Sequence, residues 1–254
     1  MSAVLIVTYH DISESASPVT VTPRQLTTDL EALAAAGFTW ASLDDCADWL
    51  AGTITLPPLA AIVTFDDGYA SVASAALPVL QRLRVPATVF VVAGRIGGDN
   101  QWPGQWPSIG RAPLLDVGAL RELTAAGVAL GCHSLTHPRL IELDDAAAAT
   151  EISEAADRLE HLAQAAVRHF AYPYGVRGSR EVAAARRRYR TAVSAACGLV
   201  DRECDPLDLP RFDAHDLRVA MRLGLLKTRW LGPYAGARRL ARRARLALAG
   251  PGGR

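Results

Sequence analysis

Ala61-Ile62-Val63-Thr64-Phe65-Asp66-Asp67-Gly68 is the stretch on which the reading of the chain turns. Its apolar run, which begins at Ala60, is short, β-rich and continuous, as in a strand buried on both faces of a parallel sheet. Two adjacent carboxylates follow where that strand runs out into a loop. Gly68 permits a tight turn there because it has no Cβ to clash. Neighbouring carboxylates repel, more strongly when buried, and are kept together by a cation or by a retained proton. An Asp-Asp-Gly triplet also suits a solvated turn, so its meaning depends on whether metal ligands occur elsewhere.

Outward from this strand, strand-like and helix-like segments alternate. Residues 3–8 read as a strand ending at Tyr9-His10-Asp11. Thr22-Pro23 opens a helix with Leu26, Leu30 and Leu33 at helical spacing, closed by Gly37. Residues 38–41 read as a short strand, and Ser42 caps a helix that runs to Leu50. Beyond the Asp-Asp turn, residues 69–83 read as a helix kinked or broken at Pro78. Strands at 87–92, 128–132, 168–172 and 191–194 then alternate with helices at 117–126, 144–166 and 180–188. About seven such units in 254 residues predict an α/β fold, a distorted (β/α) barrel with a parallel sheet. His10, Asp66-Asp67, His133-His137 and Tyr174 all follow the C-terminal ends of predicted strands, the face on which parallel barrels carry active sites. So does a loop at 94–113 rich in Gly, Pro and Trp, longer than compact domains keep without a use. Its Trp102 and Trp106, each followed by proline, either wall a sugar-binding groove or anchor the loop on the barrel.

Half of the residues are hydrophobic, enough for a sizeable core. No run of about eighteen apolar residues occurs, so no transmembrane helix is expected. The apolar stretch after Met1 lacks a basic leader and is interrupted by His10 and Asp11, so no signal peptide is expected. Cys46, Cys132, Cys197 and Cys204 form no Cys-x-x-Cys and read as free thiols of a reducing cytoplasm. The charge is unevenly spread. Residues 1–217 hold 17 basic and all 26 acidic residues, whereas residues 218–254 hold ten basic residues and no acidic one. The expected division is therefore a barrel over 1–217 and a basic tail over 218–254. Residues 237–249 form an amphipathic basic helix, with Leu240, Ala244 and Leu248 on one side and Arg238, Arg242 and Arg245 towards another. Such a helix suits an anionic membrane surface, which places the protein in the cytoplasm at the inner face of the membrane. A nucleic-acid partner is not expected.

His133-Ser134-Leu135-Thr136-His137 sets two imidazoles four residues apart. One helical turn brings such a pair to the same side, where both reach one ion. Asp67, from another strand end, is the natural third ligand. Two histidines and one carboxylate leave a position for water; zinc is the default ion, and nickel, cobalt or iron suit the same donors.

With these residues in view, the chain resembles the polysaccharide deacetylases of carbohydrate esterase family 4. Thr64–Gly68 matches their Thr-Phe-Asp-Asp-Gly motif and His133–His137 their His-Ser/Thr-x-x-His motif. Ala171-Tyr172-Pro173-Tyr174-Gly175 aligns with their Arg-x-Pro-Tyr-Gly. Val7-Thr8-Tyr9-His10 and Phe170–Gly175 are most similar to the branch of biofilm poly-N-acetylglucosamine deacetylases, a circularly permuted variant. The resemblance covers roughly residues 3–213. It implies a metal-dependent N-deacetylase of an acetamido sugar in a glycan or lipid-linked saccharide. Asp67, His133 and His137 would then bind the metal, with Asp66 as general base. The backbone N–H of Tyr174 would stabilise the oxyanion. His10 is the first choice for general acid, with His215 the alternative. The arginine that pairs with the base in the family is Ala171 here, so Arg211 is the candidate to supply that charge, and the usual final Leu-x-His motif is not recognisable. Competing expectations are hydrolysis of another amide or an O-acetyl ester, or an inactive barrel that binds glycans.

Overall fold

The computed structural model describes residues 3–226 and 230–248, with side chains through residue 241. The elements run β1 (Ala3–Tyr9), β2 (Asp11–Ile12), β3 (Thr20–Val21), α1 (Pro23–Ala35), β4 (Thr39–Trp40), α2 (Leu43–Leu50) and β5 (Leu59–Phe65). A π turn (Val72–Ala76) leads into α3 (Leu77–Leu83), followed by β6 (Ala87–Val91), α4 (Val117–Ala125) and β7 (Ala129–Cys132). Then come α5 (Asp145–Ala163), β8 (His169–Ala171), α6 (Ser179–Arg186), β9 (Thr191–Val193), β10 (Phe212–Asp213), α7 (Ala214–Arg222) and α8 (Leu231–Leu248).

The sheet order is β10-β1-β5-β6-β7-β8-β9, with every neighbouring pair parallel, and β4 lies beside Ala60 and Ala61 of β5. The expected strand alternation is present, and the sheet curls into a distorted (β/α) barrel. A parallel bridge from Val193 to Leu209 and the pairing of Val7 with Phe212 close the gap between β9 and β1. β1 and β5 stay in register over all seven residues, from Ala3 opposite Leu59 to Tyr9 opposite Phe65. Alternate side chains of these strands enter different layers. Leu5, Val7, Ala61 and Val63 pack outward under the helices. Val4, Ile6, Ala60 and Ile62 point inward with Phe90, Ala171, Val193 and Leu209, and Trp49 of α2 joins this inner cluster. Burial on both faces is why the strands read as unbroken apolar runs rather than as alternation.

Helix starts follow the sequence signals. Thr22 with Gln25 and Ser42 with Asp45 form capping boxes, and Pro23 occupies the first turn of α1. Pro78 does not kink a continuous helix. The π turn precedes it and places the proline in the first turn of α3, where its missing N–H leaves no bond unmade. The tail differs from an independent appendage. Leu231 and Ala235 of α8 are buried, Tyr234 stacks on Phe212, and Arg238 pairs with Asp216. The 217/218 division itself falls within α7. Leu240 is exposed. The side chains of Arg242, Ala244, Arg245 and Leu248, and residues 227–229 and 249–254, lie outside the described residues. All four cysteines are unpaired, and among the described residues no helix is long and apolar enough to cross a membrane.

Candidate metal centre

The Asp66 N–H donates to the Tyr9 carbonyl at 2.9 Å, carrying the β1–β5 ladder one step past the strand end. Asp67 then enters the left-handed region at φ 69°, and Gly68 follows at φ 75°. A non-glycine residue pays strain in that region, and such strain collects at functional sites. The turn separates the two carboxylates: Asp66 meets a guanidinium, and Asp67 meets two imidazoles.

Arg211 grips Asp66 at both oxygens, Nη1 to Oδ1 and Nη2 to Oδ2, each at 2.7 Å. Bidentate, charge-assisted pairs of this kind are the strong ones. The same guanidinium donates to Thr8 Oγ1, Thr64 Oγ1 and the Ser194 carbonyl, and lies over Phe90 at the top of the inner core. The charge absent at Ala171 thus reaches the aspartate from the segment that leads into β10. Burial pushes the Asp66 carboxyl up, but the charge and hydrogen bonds of Arg211 outweigh it and hold the group below its ordinary value.

Asp67 Oδ1 lies 3.3 Å from His133 Nε2 and 3.3 Å from His137 Nε2, and one ligand atom from each of the three residues fits within a 4.8 Å cluster. All three residues are buried. The loop carrying the histidines is not a helical turn: Ser134 and His137 both have positive φ, 64° and 65°. Two left-handed residues, rather than helical spacing, aim the rings at one point. Glu151 of α5 holds the loop in that shape. Its carboxylate accepts the Leu135 N–H at 2.8 Å, the Thr136 N–H at 2.9 Å and the Thr136 hydroxyl at 2.5 Å.

Hydrogen-bond chemistry indicates what belongs at the centre. His133 Nδ1 lies 2.7 Å from the Ala171 carbonyl. A carbonyl only accepts, so Nδ1 carries the proton, and Nε2 of the neutral ring directs a lone pair at Asp67. Acceptors that converge in a buried site require a cation between them, either a proton or a metal ion. Burial opposes charge at all three residues. At Asp67 the two imidazoles prevail and hold the carboxyl well below its ordinary value; at His133 the two carboxylates prevail and raise it; at His137 burial prevails and lowers it. Two neutral-capable imidazoles and an ionised carboxylate suit zinc and its neighbours in the first transition row.

Of the remaining candidates, Tyr174 touches this centre and His10 lies within electrostatic range of it. His10 is half-buried, and its charge acts on both Asp66 and Asp67. His215 is exposed at the start of α7, with Nε2 3.0 Å from the Pro18 carbonyl. Tyr174 sits at φ 59° in a tight turn, its ring edge-on to His137. At the adjacent Gly175 a Cβ would collide with Ala195. Trp102 is buried against His137, ring centroids 4.3 Å apart. Its indole N–H lies by the Tyr174 hydroxyl without reaching hydrogen-bond geometry. The sequence motifs contain Thr8 and Thr64 but give no sign that their hydroxyls hold Arg211, and they do not include Glu151. Glu151 left one trace, an acidic residue in register with Ala148, Ile152 and Ala155 on the apolar face of α5.

Comparison with known proteins bears on the family and the fold. A 127-residue stretch is 32% identical to the chitooligosaccharide deacetylase of Azorhizobium caulinodans, covering 49% of this chain and 52% of that protein. The chain therefore spans about half the length of this curated relative. The structure of IcaB from Ammonifex degensii superposes with a TM-score of 0.76 at 22% identity, over 90% of this chain and 98% of that one. The Streptococcus pyogenes deacetylase PplD, solved in complex with acetate, gives 0.71 at 22% identity, over 83% and 92%. At such identities the likeness concerns the fold. The sequence model of the polysaccharide deacetylases matches residues 54–192. That segment holds Asp66, Asp67, His133, His137 and Tyr174 and is more than half of the chain, which therefore belongs to the polysaccharide deacetylase family.

Proposed function

We propose that the chain is a metal-dependent hydrolase that removes the N-acetyl group from an acetamido sugar in a glycan or lipid-linked saccharide. The observation that carries this reading is the convergence of Asp67, His133 and His137 on one point beside an Asp66 held ionised by Arg211. Asp67, His133 and His137 would hold a divalent ion, zinc by default, which supplies Lewis acidity that acidifies water and polarises a carbonyl. Asp66 takes the proton from the attacking water, and Arg211 fixes the plane of that carboxylate. Attack on the acetamide carbonyl builds a tetrahedral oxyanion, to which the Tyr174 N–H donates. His10 delivers a proton to the amine nitrogen as the C–N bond breaks, and acetate and a free amino sugar leave. His10 is preferred to His215 because its charge acts on both aspartates, whereas His215 lies against Pro18.

Acetate release from N-acetylglucosamine oligomers by the zinc-loaded protein tests the reading. Release that depends on Asp66 supports it. Metal binding without acetate favours another amide or an O-acetyl ester as substrate, and neither metal nor acetate favours a glycan-binding barrel.

The basic C-terminal segment is proposed to rest on an anionic membrane surface at the cytoplasmic face. Exposed Leu223, Trp230 and Leu240 accompany ten basic residues and no acidic one after Asp216, the pattern of an interfacial helix. Co-sedimentation with anionic phospholipid vesicles should fall sharply when Arg239, Arg242, Arg243 and Arg245 are changed together to Gln. Equal binding contradicts the proposal.

A further inference from the structure

Arg211 stands where the closing segment of the barrel changes partner. Before it, the Leu209 N–H donates to the Ala192 carbonyl and the Leu209 carbonyl accepts from the Ser194 N–H, each at 2.9 Å, so the chain lies beside β9. The Arg211 N–H donates to the Ala196 carbonyl at 2.8 Å, and the next residue, Phe212, already pairs with Val7 of β1. β10 offers only two register positions, Phe212 opposite Val7 and Asp213 opposite Thr8. Sheet strands are usually longer than this. An arginine at position 171 would instead stand on β8, which has β7 and β9 as neighbours. A short ladder at the barrel seam is a slight hold for a guanidinium that meets both oxygens of Asp66 at 2.7 Å.

The outer side of this junction is covered by α8. Leu231, Tyr234, Ala235 and Arg238 fall at i, i+3, i+4 and i+7, one stripe of the helix. Leu231 and Ala235 are buried, and the Tyr234 ring stacks on Phe212, centroids 6.5 Å apart with 20° between the planes. The Tyr234 hydroxyl donates to the Asp216 carbonyl at 3.1 Å, and the Arg238 guanidinium pairs with the Asp216 carboxylate. Both bonds tie α8 to the first turn of α7, whose N-cap is Asp213 of β10. A Cβ at Gly198 would lie 2.9 Å from Pro210 Cβ and 3.9 Å from Arg239 Nη1, which sets a further α8 side chain near the residue before Arg211. Arg211 and Phe212 are neighbours on an extended segment and point to opposite faces. The guanidinium lies inward over Phe90, and the ring packs outward in the layer that Tyr234 joins.

We propose that α8 supports the catalytic carboxylate from a distance: Tyr234 and Arg238 are positioning residues that hold β10, and through it Arg211, where the guanidinium meets Asp66. The reading rests on the role of Arg211 in the deacetylase function above. Kinetics on N-acetylglucosamine oligomers, with zinc content and amide hydrogen exchange of the same full-length, zinc-loaded proteins, test it. Tyr234→Ala should lower kcat roughly tenfold, because small misplacements near reacting groups are costly, with KM and zinc content little changed. Tyr234→Phe, which keeps the stacked ring, should recover most of the loss, and Arg238→Gln should show a smaller loss of the same kind. Exchange at residues 211–213 should quicken about tenfold in Tyr234→Ala while β5 stays protected. Unchanged kcat, or unchanged exchange at 211–213, overturns the proposal. So does a loss carried by KM, one that Tyr234→Phe does not relieve, or one in which zinc content and β5 protection fall together with kcat, the mark of general unfolding. If the unaltered chain releases no acetate, the deacetylase reading fails by itself, and exchange at 211–213 alone decides whether α8 holds β10.

Discussion

Two groups of histidine, aspartate and arginine occupy opposite ends of the same parallel sheet. At the N-terminal end, Arg168 and Arg190 stand just before β8 and β9 and meet Asp44 and Asp48 of α2 at 2.6–3.1 Å. His169 is buried among them, with Nδ1 2.8 Å from the Thr191 hydroxyl and Nε2 3.6 Å from Asp44. Each carboxylate there has a guanidinium, and the side chains of these arginines and aspartates are 34–56% exposed. At the C-terminal end the groups are almost wholly buried. Asp66 has its guanidinium, but Asp67 is met only by imidazoles among the described residues. One end balances its own charge and ties α2 to the barrel floor. The other leaves one carboxylate met by imidazoles alone, where the proposed cation would balance it. A histidine beside an aspartate does not separate the two; what separates them is whether the remaining charge is already answered.

That contrast orders the expected effects of substitution. Asp66→Asn keeps the size of the side chain and removes the base, so acetate release should fall about 10²–10⁴-fold with metal content unchanged. Loss of the metal as well would erase the separation of roles between Asp66 and Asp67. Arg211→Ala leaves a buried carboxylate uncompensated and should lower stability by about 3–5 kcal/mol, read from urea denaturation, with turnover falling as well. Wild-type turnover in this variant would remove Arg211 from the catalytic set.

A smaller effect is expected at Glu151, which holds the histidine loop without belonging to the Asp67–His133–His137 cluster. Glu151→Ala should weaken metal affinity about 10–100-fold in chelator competition. Glu151→Gln, which keeps an acceptor, should recover part of it. The smallest effect belongs to the other end of the sheet. Hydrogen bonding and charge from His169, with Arg190 and Arg168, outweigh burial and hold the Asp44 carboxyl well below its ordinary value. Its contribution is therefore present above the unfolded pKa near 4 and is lost as pH falls towards the lowered folded value. Asp44→Asn should cost about 1 kcal/mol or less near neutral pH, progressively less as acid protonates the wild-type group, and leave kcat unchanged. A loss of turnover comparable to that of Asp66→Asn would dissolve the distinction between the ends.

Much of this was legible in the residues. Unbroken apolar runs marked β1 and β5, Thr22 and Ser42 marked helix starts, and two short motifs brought Asp67, His133 and His137 together. What was not legible depended on distant parts of the chain. β10 is two residues long and carries no pattern, so the strand that carries Arg211 to Asp66 was not legible, although Arg211 itself was legible as the candidate for that charge. The histidine spacing suggested a helical turn, whereas left-handed Ser134 and His137 achieve the same convergence, a conformation that no periodicity reports. Trp102 is buried and Trp106 exposed, a difference left open because identical Trp-Pro pairs carry no record of which indole faces the barrel. Glu151 was visible only as an acidic residue on an apolar helix face.

The central claim is that one cation is gripped jointly by Asp67, His133 and His137. Equilibrium dialysis of the metal-stripped full chain against zinc, repeated with Asp67→Ala and with His133→Ala, tests it most directly. The account predicts one tightly held ion per chain in the unaltered protein and loss of that ion in either variant. Tight stoichiometric zinc that survives both substitutions, or no tight zinc in the unaltered chain, would contradict it.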